Sequence, residues 1–182
     1  MKKMLILTGS PRKDGNTALM VDAFTKGAKE AGYDVVRFDT AMMNIKGCLH
    51  CQTCWSKERS CSLDDDFVKI GSELEAADSL VFAAPMYWSQ FPSHLKAVVD
   101  KLYAYVVPAC QKSLAGKKFA MITCGDGADE HAFDAVVPWY EGLAKYMQWE
   151  AAGYVAVPAL MEKGDVKKTD GLEKAYELGK KM

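Results

Sequence analysis

Short apolar runs separated by longer amphipathic stretches constrain this chain more than any other feature, because that alternation is the pattern of a parallel sheet with helices on both faces. Five strands are predicted. The first spans about residues 3–8, the second Asp34 to Phe38, the third Ser79 to Ala84, the fourth Lys118 to Cys124, and the fifth lies near Gly153 to Val157. The run Ser79-Leu80-Val81-Phe82-Ala83-Ala84 is uninterrupted, as a central strand buried on both sides requires, and Pro85 stops it. A helix is read from about Thr17 to Ala31, with Leu19, Ala23, Phe24 and Ala28 on one stripe and Gly32 at its end. Further helices are read over about Ser93 to Tyr103, Ala132 to Met147 and Gly171 to Lys181.

The 182 residues suit a single domain over 1–182, with no repeat or linker. A net charge of -1 leaves no basic footprint for nucleic acid and no polybasic stretch for an anionic membrane. No apolar stretch approaches the roughly 18 residues of a membrane span, so a cytoplasmic protein is expected. In a reducing compartment its six cysteines are expected to be thiols or ligands rather than disulfides.

The segment Gly9-Ser10-Pro11-Arg12-Lys13-Asp14-Gly15-Asn16-Thr17 joins the first strand to the first helix. It has the means to hold a phosphate: unpaired N–H groups at a helix N-terminus, side-chain donors from Ser10, Asn16 and Thr17, and the planar fork of Arg12. Asn16 or Thr17 is also expected to cap the helix. The same composition suits an ordinary turn with a good cap. Related loops lack their defining residues here: there is no G-x-x-x-x-G-K-[ST], no G-x-G-x-x-G and no cysteine in the loop.

Gly9-Ser10-Pro11-Arg12 with Asn16-Thr17, together with Pro85-Met86-Tyr87-Trp88, Leu95-Lys96 and Asp100, resembles the NADPH-dependent FMN reductase branch of the flavodoxin-like superfamily. The resemblance implies a doubly wound five-stranded sheet of order 2-1-3-4-5, bound FMN, and NAD(P)H as co-substrate. It also implies a homodimer or higher homo-oligomer, with a small molecule or a protein as electron acceptor. In such sheets the ligand crevice lies beyond the strand ends, between strands one and three. Ser10, Arg12, Asn16 and Thr17 are therefore expected at the phosphate, and Pro85, Met86, Tyr87 and Trp88 along the flavin ring. Core or interface packing is the alternative for the two aromatics. Thr123, Gly125, Asp126 and Gly127 are assigned to the flavin by position, although a plain surface turn would look the same. Lys96 and Asp100, four apart on a helix, are read as a surface ion pair. No acid–base pair is nominated, because the cofactor carries the chemistry.

The one compositional anomaly is an insert at about 47–62, where Cys48-x2-Cys51-x2-Cys54-x6-Cys61 is compact enough to wrap an iron-sulfur cluster. It resembles the motif of the iron-sulfur flavoproteins, which implies a 4Fe-4S cluster. Free or redox-labile thiols are the second reading, and zinc with His50 as a substitute ligand is the third. Asp64-Asp65-Asp66 is expected to cap the following helix. Cys110 and Cys124 read as ordinary apolar-environment cysteines, and His94 and His131 receive no role. The functional expectation is an FMN-dependent NAD(P)H oxidoreductase; the alternative is an electron-transfer protein working through the cluster. A response regulator would need acids after strand one and an aspartate ending strand three, where this chain has Thr8-Gly9-Ser10 and Ala84-Pro85.

Overall fold

The structure is a computed structural model describing residues 1–182. Five parallel strands, β1 (Lys2–Thr8), β2 (Tyr33–Asp39), β3 (Ser79–Pro85), β4 (Lys118–Cys124) and β5 (Glu150–Val157), form one sheet of order β2-β1-β3-β4-β5. This is the predicted order. Helices α1 (Asn16–Glu30) and α5 (Gly171–Lys181) cover one face; α2 (Phe67–Ala76), α3 (Ser93–Lys101) and α4 (Val136–Tyr146) cover the other.

Alternation along the strands divides the core. Met4, Ile6, Val81, Ala83, Ala120 and Ile122 meet α1 and α5, while Leu5, Leu7, Leu80, Phe82, Phe119 and Met121 meet the opposite layer. Both sets are needed, which is why β3 reads as a continuous apolar run. Helices α1 and α5 touch backbone to backbone. A Cβ on Gly27 would lie 2.2 Å from the Tyr176 carbonyl oxygen, and one on Gly179 would lie 2.2 Å from that of Phe24.

Two boundaries differ from the sequence reading. The helix expected from Ala132 begins at Val136, after a short 3-10 turn over Glu130–Phe133. Pro138 explains this: proline has no N–H to give and is tolerated only in a first turn, so the helix cannot extend back through Ala132. Strand β5 starts at Glu150 rather than near Gly153, because Gly153 marks a bulge inside the strand. The register jumps from Phe119 opposite Ala151 to Ala120 opposite Gly153, whose φ is +119°. The Tyr140 hydroxyl locks the bulge, accepting from Gly153 N at 3.1 Å and donating to the Phe119 carbonyl at 2.8 Å. No helix is long and apolar enough to cross a membrane.

Candidate functional site

A cavity of about 260 Å³ opens beyond the carboxyl ends of β1, β3 and β4, where a sheet of this order leaves a crevice. Ser10, Pro11, Arg12, Gly15, Asn16 and Thr17 form one wall. Pro85, Met86 and Tyr87 form a second, Cys124, Gly125 and Asp126 a third, and Leu160 and Met161 close the circuit.

The β1–α1 loop folds on itself and delivers an uncapped helix start. Gly9 lets it leave β1 against the next layer: its N–H donates to the Ala83 carbonyl at 2.8 Å, and a Cβ there would lie 2.8 Å from Leu95 Cβ. Ser10 Oγ accepts from Arg12 N at 3.3 Å, and Gly15 N donates to the Arg12 carbonyl at 3.2 Å, which folds the loop back on itself. The N-cap of α1 is Gly15, and no side chain caps it. This corrects the expectation that Asn16 or Thr17 would do so. Asn16 reaches instead to the β5–α5 loop, donating to the Glu162 carbonyl at 2.9 Å and accepting from Gly164 N at 2.9 Å. The Thr17 hydroxyl lies 3.3 Å from Cys124 Sγ. The first-turn N–H groups of α1 are therefore left free for an anion. Arg37 and Arg59 are engaged with Asp22, Asp39 and Asp64, whereas Arg12 pairs with no carboxylate.

The turn after β3 continues the sheet briefly, with Met86 N donating to the Cys124 carbonyl at 2.7 Å. Tyr87 and Gln90 then bridge, and Trp88 and Ser89 occupy the tip at φ +50° and +62°. Both positions are left-handed, a geometry that favours Asn-Gly, so this two-residue turn is strained. Tyr87 stays half-exposed at the cavity, while Trp88 is fully exposed and does not line it. The flat wall expected of Trp88 is not formed, because the turn projects it into solvent. Thr123 and Gly127 also lie outside the lining. Thr123 is wholly buried with an unpartnered hydroxyl. Gly127 is required by packing, since a Cβ there would lie 2.4 Å from Ala132 Cβ. Cys124, Leu160 and Met161 were missed by the sequence reading. Burial pushes the Cys124 thiol up, so it stays a neutral thiol at the cavity floor. The one signal for Leu160 and Met161 was their position just beyond the last strand.

The cysteine insert is separate from this cavity. Cys48 and Cys51 are exposed, Cys54 and Cys61 half-buried, and all four are free thiols. Burial, and next the charges of Cys61, Cys51 and Cys48, push the Cys54 thiol up, so the four are neighbours. The Thr53 hydroxyl, 3.0 Å from Cys51 Sγ, pulls the Cys51 thiol down. No three His, Cys, Asp or Glu side chains converge into a set that could hold a single metal ion. The His50 ring packs on Tyr103 at 5.1 Å, away from the role of substitute zinc ligand. The backbone is left-handed at His50, Gln52, Trp55 and Glu58, which curls the segment tightly.

Hydrogen bonds at two places fix the insert to the domain. Trp55 Nε1 donates to the Ala104 carbonyl at 2.7 Å. At its neck Asn44 N donates to Asp66 Oδ2 and Lys46 N to Asp65 Oδ2, each at 2.9 Å. Asp65 also pairs with Lys101, their side chains 0% and 1% exposed. The N-cap of α2 is Asp66, and no aspartate side chain caps the helix, which corrects the expectation; Asp65, one residue earlier, accepts from Phe67 N at 3.0 Å, Asp64 faces Arg59, and Asp66 faces Lys69. Lys96 and Asp100 form the expected surface ion pair.

The cavity suits a ligand with an anionic end and a flat apolar body. Free N–H groups and Arg12 answer the charge, and Met86, Tyr87 and Leu160 answer the body. Its size is small for full enclosure, so the far end of such a ligand would stay open to a second reactant.

Comparison with known proteins agrees with this chemistry. Residues 2–147 match the family described as NADPH-dependent FMN reductase. The chain is 30% identical over 184 aligned residues to an iron-sulfur flavoprotein of Archaeoglobus fulgidus, covering 100% of this chain and 79% of the relative. Among solved structures it is similar to an NAD(P)H:quinone oxidoreductase from Methanothermobacter marburgensis, with a TM-score of 0.72 at 16% identity over 98% of this chain and 96% of the other. An azoreductase from Bacillus anthracis is similar in fold, with a TM-score of 0.73 at 18% identity and complete coverage of both chains. The match over residues 2–147 and the loop-lined crevice of a 2-1-3-4-5 sheet agree: this chain belongs to the NADPH-dependent FMN reductase family.

Proposed function

We propose that the chain binds FMN in the β1–β3–β4 cavity and acts as an NAD(P)H oxidoreductase serving a flavin, quinone or similar acceptor. The observation that carries this reading is the uncapped N-terminus of α1 beside an unpaired Arg12, opening on an apolar-walled crevice. FMN bound there would supply the hydride chemistry between a nicotinamide and the acceptor. Ser10, Arg12 and the N–H groups of Asn16 and Thr17 hold the phosphate. Pro85, Met86 and Tyr87 flank the ring on one side, and Gly125 and Asp126 lie on the other. Cys124 keeps its proton and adds no charge beneath the ligand. His131, 77% exposed and paired with Asp134, lies away from the cavity, so this chain offers no histidine acid there.

Purified protein should be yellow and should bleach under anaerobic NADPH or NADH in stopped flow. Colourless protein that fails to take up added FMN would sink the proposal. Turnover with quinone, free flavin and azo acceptors then ranks the substrates.

The full-length similarity to an iron-sulfur flavoprotein favours a second reading, in which Cys48, Cys51, Cys54 and Cys61 hold a 4Fe-4S cluster. The four thiols share one loop that is tied down at its neck, and their close spacing in sequence suits a cluster. Such a cluster supplies single-electron transfer. Anaerobic purification with iron and acid-labile sulfide analysis decides it, and absence of both elements leaves a plain reductase.

A further inference from the structure

The side chain of Asn16 has two N–H donors and one oxygen with two acceptor positions. Both acceptor positions are filled, by Gly164 N at 2.9 Å and Val166 N at 3.3 Å, and one donor goes to the Glu162 carbonyl at 2.9 Å. Three of its four hydrogen-bonding positions thus serve a loop about 150 residues away in sequence. Asn16 closes the first turn of the 3-10 segment Asp165–Lys168, whose own cap position, Gly164, provides no side chain.

That loop carries the cavity's last wall. Leu160 N donates to the Gly125 carbonyl at 2.9 Å and Ala159 N to the Gly127 carbonyl at 2.7 Å, which pins its start. Leu160 and Met161 then line the cavity. Between this pinned start and buried Val166, Glu162 and Lys163 are exposed, and the ties across to the β1–α1 loop are Asn16 and an exposed Asp14–Lys163 ion pair. A surface pair of that kind contributes little, so Asn16 is the principal clasp.

We propose that Asn16 is a positioning residue: its side chain acts on the ligand's apolar body through the Leu160–Met161 wall, not on the phosphate. This rests on the flavin reading above. It predicts that loss of the Asn16 amide weakens riboflavin, which has no phosphate, by the same factor as FMN.

The test is titration of apo-protein with FMN and with riboflavin for wild type, N16A, N16S and R12A, with hydrogen exchange at the Gly164 and Val166 amides. Serine keeps a hydroxyl donor for a phosphate but cannot span to residues 162–166, so N16S remains decisive should N16A fail to fold. The expected result is a matched loss of about tenfold or more for both flavins in N16A and N16S, with faster exchange at both amides. R12A should lose affinity for FMN alone. Loss of FMN affinity with riboflavin unchanged in the Asn16 variants, or no loss of either, overturns the clasp. Wild-type protein that binds neither flavin overturns the flavin reading itself.

Discussion

Two loops leave the carboxyl edge of this sheet and solve opposite problems. The β1–α1 loop leads into an uncapped helix start, where the first-turn N–H groups are free for a ligand. The cysteine loop after β2 does the reverse: at its neck the donors of Asn44 and Lys46 are satisfied by Asp66 and Asp65, and the tip is curled through left-handed residues that are not glycine. A site that reads an anion by backbone can be short and close to the sheet. A site that must present four side chains needs a long excursion, and the chain then has to be tied down elsewhere.

The buried pair at that neck gives the largest expected effect. K101M would leave the Asp65 carboxylate buried without its cation, at a cost of about 3–5 kcal/mol. The double variant D65L/K101M should recover much of that loss in a thermal melt. FMN affinity of the folded K101M protein should match wild type; a parallel loss of flavin binding would show that the two loops are not independent. On the other side of the comparison, R12A should cost about 1.5–3 kcal/mol of FMN binding, the value of a hydrogen bond to a charged group. It should leave the melting temperature of apo-protein unchanged, since the Arg12 guanidinium pairs with no carboxylate and its backbone bonds are kept. Trp55→Phe removes the bond to the Ala104 carbonyl and should cost about 1 kcal/mol of stability. Faster hydrogen exchange confined to residues 47–64 would locate that loss in the cysteine loop.

The smallest effect is on pH. Asp66 is held below the ordinary carboxylate range, first by its bond to Lys69 and then by Asn44 N–H. A carboxyl whose folded value is depressed stabilises the protein above the unfolded value and loses that contribution as pH falls through the folded one. The neck should therefore loosen only on acidification below about pH 4, read as exchange at Asn44. D66N should flatten that dependence.

Legibility differed between the loops. The β1–α1 loop could be identified from contiguous residues because the donors it presents are mostly backbone, and the helix that supplies them follows it directly. Even there Asn16 or Thr17 is expected as the cap and neither caps α1, since caps are read locally and the Asn16 partners lie at 162–166. The cysteines were legible as a set by spacing. What holds them was not: three consecutive aspartates look like a helix cap, yet none caps α2 by its side chain, and Asp65 pairs with Lys101 on another element. Trp88 was legible as an aromatic near the site but not as an exposed one, because its direction is decided by a turn whose backbone strain no residue type announces.

The sequence by itself determined the layered architecture, the strand that lies at its centre, the loop that leads into α1 and the cluster of thiols, because each follows from periodicity or from neighbours in the chain. Only the tertiary structure decided the wall of Leu160 and Met161, the reach of Asn16 to the β5–α5 loop, and the buried Asp65–Lys101 pair. These join segments that meet only when the sheet lines up β1, β3, β4 and β5 and α3 packs beside the insert. Contacts of that kind depend on where elements are placed, and no local pattern of residues encodes the placement.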